Sequence, residues 1–152
     1  MFFYLIAFAA GIALASQAAI NSQLSKAVGD QPVAAALISF FTGTLVLLAI
    51  TLMKANVSEI WVNLPQQQWW KWTGGTLGAL VVFTTIMLAT KVGVSNMLFF
   101  IIVGQLIMAM LIDHYGLIHM PIRLATIWKF IGLTIVFLGM LLFFYGDKWF
   151  GK

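Results

Sequence analysis

The chain has no cysteine, and only four of its 152 residues are acidic. The first absence excludes disulfides, thiolate nucleophiles and cysteine-held metal ions. The second leaves charged residues at 8% of the chain, against roughly 25% in an ordinary soluble domain. Such a chain cannot cover itself with a solvated surface. No carboxylate lies deep in an apolar stretch, no HExxH pattern occurs, and Asp113-His114 has neither a second acid at catalytic spacing nor an evident nucleophile beside it. An intramembrane enzyme is therefore not the expected class, and no cofactor or metal is expected. Alternation of polar and apolar residues at period two is also missing, which argues against a transmembrane barrel. The net charge of +4 comes from basic residues spread singly along the chain, so no nucleic-acid-binding patch forms.

What remains is apolar: 62% of the residues are hydrophobic. Spanning a bilayer as a helix takes about 20 mostly apolar residues, and five segments qualify, at about 2–22, 32–53, 72–90, 94–112 and 127–145. The expected fold is an all-α integral membrane protein, a single transmembrane domain of five helices. No Lys or Arg precedes Lys26, so the basic region of a secretory signal is missing and the first segment reads as a retained helix. Gly29-Asp30-Gln31-Pro32 is a turn followed by a proline suited to a helix start, and Lys91-Val92-Gly93 is a helix end with a glycine cap. The longest polar connection, 54–71, carries Trp61, Trp69 and Trp70, with Trp72 just beyond. These aromatics are placed to anchor at the headgroup level. Asn56-Val57-Ser58 matches a glycosylation sequon and is given no weight.

Lys and Arg beside the spans govern orientation. Five spans place Lys54, Lys71, Arg123 and Lys129 on the side of the N-terminus and Lys26, Lys91, Lys148 and Lys152 on the other. This four-against-four split gives no electrostatic preference, and a chain without preference is expected to insert both ways. Five is also odd, so the termini lie on opposite sides and an inverted second copy makes a pseudo-symmetric partner. Inverted repeats with a substrate site where they meet are a common transporter plan. One such chain reads as half of a ten-helix machine.

Polar groups inside the spans narrow the site. Gln17 and Asn21 share a face of the first segment; Asn96 and Gln105 lie on the fourth. If those segments are neighbours, Gln17 and Gln105 reach one cavity, with Asn21 and Asn96 nearer its mouth. An amide has two donors and further acceptors to satisfy, so these four serve as ligand contacts or as glue between helices. Ser39, Thr42, Thr44, Thr84 and Thr85 read as structural hydroxyls bonded to backbone. Asp113 and His114 stand at a membrane boundary, with Lys71 and Arg123 as possible partners, in either an ion pair or a coupling role. Gly74 and Gly78 form a GxxxG pattern that allows close helix contact; Gly104, Gly132 and Gly139 are further candidates for packing.

Taken together, Gln17-x-x-x-Asn21, the run 34–44, Trp69-Trp70-Lys71-Trp72-Thr73-Gly74-Gly75-x-x-Gly78, Gly104-Gln105-Leu106 and Asp113-His114-Tyr115-Gly116-Leu117 resemble the YdcZ-type family of short bacterial proteins in the drug/metabolite transporter superfamily. The resemblance runs the length of the chain. It implies five transmembrane helices, the bacterial inner membrane, and occurrence as dual-topology proteins, opposed pairs or fused ten-helix chains. It also implies that Gln17, Asn21, Gln105, Asp113, His114 and Gly116 stand at the family's signature. The small multidrug resistance proteins of that superfamily depend on a membrane-embedded Glu in the first helix. Here Gln17 stands in that helix with no acid, which argues against proton-coupled exchange of drug cations. The function expected is transport of a small organic solute by an antiparallel homodimer. The alternatives are a non-transporting scaffold subunit and one half of a fixed heterodimer.

Overall fold

Apolar runs of this length can satisfy their main-chain groups in lipid only as helices. The computed structural model describes residues 1–151, so Lys152, counted above among the basic residues, lies outside it. Its helices are α1 (Phe2–Ala27), α2 (Pro32–Lys54), the short α3 (Val57–Asn63), α4 (Thr73–Val92), α5 (Val94–Tyr115) and α6 (Ile127–Phe150). All but α3 are long and apolar enough to cross a membrane, α4 together with the 3-10 turn that precedes it. Among the described residues there is no strand.

Each long helix runs past the end expected from hydropathy. α1 ends at Ala27 rather than 22, α5 at Tyr115 rather than 112, and α6 at Phe150 rather than 145. For four of the five ends the reason is electrostatic. The last turns of α1, α2, α4 and α6 carry Lys26, Lys54, Lys91 and Lys148, and none of these helices has an acid in its first turn. A cation near a helix C-terminus is favoured by the macrodipole, by about 0.3–1 kcal/mol where exposed. Hydropathy falls at the first polar residue, whereas the helix continues until its terminal carbonyls are served.

The chain falls into two compact units, Met1–Val94 and the part from Ser95 onward. In the first, α1, α2 and α4 pack pairwise against one another. Their core is small: Ala35, Ala36 and Ile86, with Leu24, Val82 and Phe83 against it. The buried face of α1 is Ala18, Asn21, Ser22 and Ser25, one stripe of a helix at spacings of three and four. Small and polar residues thus make the contact, while large ones such as Phe8, Ile12 and Ile20 point outward. That inverts the soluble pattern, as expected where lipid removes the hydrophobic drive and close van der Waals packing holds helices together. Gly78 conforms, since a Cβ there would stand 3.7 Å from the Phe40 ring of α2.

The connection from α2 to α4 is ordered by local bonds. The Asn56 side chain accepts from the Glu59 N–H at 3.4 Å and the Ser58 hydroxyl at 2.7 Å, so the sequon residues form the N-cap of α3. A 3-10 turn at Leu64–Gln66 follows, then a second at Trp69–Trp72. There Lys71 donates to Gln67 at 2.8 Å and lies 5.8 Å from the centre of the Trp70 ring. Trp61, Trp69 and Trp72 are exposed, as headgroup anchors must be.

In the second unit α5 and α6 are joined through aromatic rings: Phe99 meets Phe143 at 4.6 Å and Phe100 stacks on Phe144 at 5.5 Å. Their connection, 116–126, is strained. Gly116, Ile118 and His119 have φ of +61°, +58° and +61°, a region that a β-branched residue such as Ile rarely enters. At Gly116 a Cβ would also stand 2.7 Å from Ile122 Cγ1 and 3.2 Å from the Met120 carbonyl. Gly116→Ala is expected to lose about 1–3 kcal/mol of stability. Thermal unfolding in detergent checks this, and adding Ile122→Ala should recover only the steric part of the loss.

Candidate functional site

Several hydroxyl groups in the spans are consumed locally, although those of Ser39 and Thr84, expected to bond to backbone, make no hydrogen bond among the described residues. Ser16, Thr42, Thr44, Thr85 and Thr134 each donate to a carbonyl three or four residues back, at 2.8–3.1 Å. Amides behave differently. A side-chain amide has more donors and acceptors than one backbone carbonyl can serve. Asn21 is buried at 4% exposure and its Nδ2 has no hydrogen-bond partner. Gln17, one turn earlier on α1, is exposed, as are Asn96 and Gln105 on α5. None of these three side chains makes a hydrogen bond among the described residues. Beside Asn21 stand the buried Ser22 and Ser25, which sequence reasoning had passed over. Their spacing along the stripe from Ala18 was the available signal.

The boundary group lies within the second unit except for Lys71. Asp113 and His114 sit in the last turn of α5, inside the helix rather than just past it. Arg123 is tied to Asp113 through main chain, its N–H donating to the Asp113 carbonyl at 2.7 Å. The Asp113 carboxylate has no partner among the described residues. Lys71 is engaged by Gln67 within its own connection. His114 Nδ1 accepts from the Ala125 N–H at 3.0 Å, and its ring meets Tyr115 edge-on at 4.7 Å. An accepting Nδ1 requires the neutral ring with its proton on Nε2. His114 therefore fastens the α5–α6 connection in the neutral state.

Among the hollows within the units, one of about 340 Å³ lies between α2 and α4, lined by Val33, Ala36, Phe40, Thr76 and Phe83 among others, and is almost wholly apolar. Another, about 390 Å³, lies between α5 and α6 and has Asp113 and Lys129 in its wall. Gly132 also lines it, and a Cβ at Gly132 would meet nothing within 4 Å. Gly74, Gly104 and Gly139 likewise have open space at the Cβ position. Among the described residues no group of three or more His, Cys, Asp or Glu could hold a metal ion.

A family model described as "Putative inner membrane exporter, YdcZ" matches residues 2–142. No curated protein and no solved structure matches the chain.

The His114 contact yields a graded expectation. His114→Ala strands the Ala125 N–H and is expected to destabilise by about 1–3 kcal/mol. His114→Asn, which keeps an acceptor at nearly the same place, should lose less. Hydrogen exchange at Ala125 is the direct readout, with faster exchange in the Ala variant than in the Asn variant.

Proposed function

The chain belongs to the YdcZ-type family of inner-membrane exporters, and we propose that it moves a small organic solute as an antiparallel homodimer by alternating access. It is a multi-pass inner-membrane protein with five helices fit to span. The observation that carries the proposal is the set of unpartnered amides. Gln17, Asn21 and Gln105 lie in apolar helices with side-chain groups that find no partner in their own chain. Leaving such a group against lipid costs several kcal/mol. For the exposed Gln17 and Gln105 a second copy, with a water-filled passage between the two, provides what one chain lacks; Asn21 is buried within its own unit.

The sense of that second copy follows from helix parity. With five spans the two termini lie on opposite faces, so inversion is the operation that generates a repeat pair around a central site. The balanced distribution of basic residues supports insertion both ways. Gln17, Asn96 and Gln105 line the passage in this reading, and Asn21, one turn from Gln17 on α1, stands buried beside it. A neutral hydrogen-bonding lining favours an uncharged polar or zwitterionic solute over a bare cation, since nothing buried would balance the charge. Trp61, Trp69 and Trp72 set the depth of the dimer in the bilayer.

Two experiments test the reading. The native chain has no cysteine, so Phe150→Cys provides a single exposed thiol on the last turn of α6. An impermeant maleimide is expected to reach half of the molecules from each face of sealed vesicles; reaction from one face alone rules out the antiparallel pair. In liposomes, Gln105→Leu should abolish solute flux while the dimer persists by cross-linking. Full flux in both Gln105→Leu and Gln105→Ala removes this residue from the passage.

A further inference from the structure

We propose that the groove between α5 and α6 binds a single-chain zwitterionic amphiphile, with its cationic group at Asp113, its anionic group at Lys129 and its apolar body along the groove. Two facing stripes build the site. On α5 the wall is Leu106, Ala109, Met110 and Asp113; on α6 it is Lys129, Gly132, Leu133 and Val136. Both follow helical spacing of three and four, so each is one face of its helix. The helices are joined by 116–126, which puts Asp113 at the end of α5 beside the start of α6. The two charges therefore share one end of the groove. Two turns beyond the opposite ends, Phe99 and Phe143 close the gap with their rings at 4.6 Å. Between the charged mouth and the aromatic stop the wall is apolar, opened at its middle by Ala109 and Gly132.

The charges are placed against local preference. Asp113 stands in the last turn of α5 and Lys129 in the first turn of α6. Helix macrodipoles disfavour both placements, since they favour cations at C-termini and anions at N-termini. Elsewhere in this chain the basic residues of the long helices obey that preference, so Lys129 is the exception among them, while Asp147 stands like Asp113 in a last turn. Nor do the two charges neutralise each other: the Asp113 carboxylate has no ion-pair partner among the described residues, and neither does the Lys129 ammonium. A pair of separated, opposite, unpaired charges at the mouth of an apolar trough is complementary to a head group bearing both signs. The volume of about 390 Å³ lies at the small end of ligand sites, about 300–1,000 Å³. A single alkyl chain is enough to fill a trough of that size. The site is contained in one copy and does not depend on the dimer, so its failure and that of the antiparallel reading are separate results.

The test uses the full chain purified in a neutral maltoside detergent. Three probes of equal alkyl length are compared below their micellar concentrations: an alkyl phosphocholine, an alkyl trimethylammonium and an alkyl sulfate. Affinity is read from the ligand-dependent rise in unfolding temperature. The native chain should prefer the phosphocholine over either singly charged probe. Asp113→Asn should shift the ranking toward the sulfate and Lys129→Gln toward the trimethylammonium, each by roughly tenfold in relative affinity, as for a hydrogen-bonded charge. The exchanged double variant, Asp113→Lys with Lys129→Asp, should regain the preference for the phosphocholine, which also shows that the fold survives. Equal binding of all three probes by the native chain overturns the proposal, as does a ranking unmoved by the single variants. Equal competition by a two-chain phosphatidylcholine, or a groove closed to every probe because a second copy covers it, overturns it as well.

Discussion

In a bilayer a helix must satisfy its own hydrogen bonds, and this constraint orders everything else in the molecule. The main chain obeys it by remaining helical through five long segments. The hydroxyls of Ser16, Thr42, Thr44, Thr85 and Thr134 obey it too, folding back onto carbonyls of the preceding turn at 2.8–3.1 Å. Each such bond turns a polar residue into one that lipid tolerates. The amides of Gln17, Asn21 and Gln105 cannot follow, because one carbonyl does not exhaust an amide. In the function proposed for this member of the exporter family, these are the groups left for a solute to use.

The same helix ends that carry α1, α2, α4 and α6 past their apolar cores also bear on orientation. Lys26, Lys54, Lys91 and Lys148, four of the eight basic residues, occupy last turns. Successive spans run in opposite directions, so residues that serve C-termini are dealt alternately to the two sides. These four nevertheless fall three to one, Lys26, Lys91 and Lys148 against Lys54, so the macrodipole does not by itself produce the even balance. Lys71, Arg123, Lys129 and Lys152 have no such explanation, and it is the first three, on the side of Lys54, that bring the count to four against four.

The five spans were legible because each exceeds the length a bilayer needs and ends in a recognisable turn. Gly93, with φ +84°, caps α4 as its sequence implied. Helix ends were less legible, since hydropathy does not register the pull of a terminal Lys. The packing face of α1 was obscured for another reason. Ala18, Ser22 and Ser25 look unremarkable beside Phe8 or Ile12, yet in lipid the small residues make contact and the large ones face out. Asn56 was readable as a sequon and is a helix cap, its side-chain oxygen accepting from the Glu59 N–H and the Ser58 hydroxyl. Lys129 was read only as a sidedness marker. Matched stripes at 106–113 and 129–136, with opposite charges at their adjoining ends, were present in the sequence, but pairing them requires knowing that the two faces meet.

What keeps Asp113 and Lys129 apart is the strained connection between them. Two antiparallel helices are commonly joined by about 2–8 residues, and 116–126 exceeds that range. It spends positive φ at Gly116, Ile118 and His119, a cost of about 1–3 kcal/mol for each non-glycine residue. Two hydrogen bonds hold it to the last turn of α5: Arg123 N–H to the Asp113 carbonyl and Ala125 N–H to His114 Nδ1. Ala125 lies just before α6, so fixing it fixes where α6 begins and with it Lys129, one turn on. An exposed ion pair would return only about 0–1 kcal/mol, too little to pull the helices out of a connection pinned at both points. The separation of the two charges is thus imposed by backbone geometry, and the neutral imidazole of His114 is one of the two fastenings that set it.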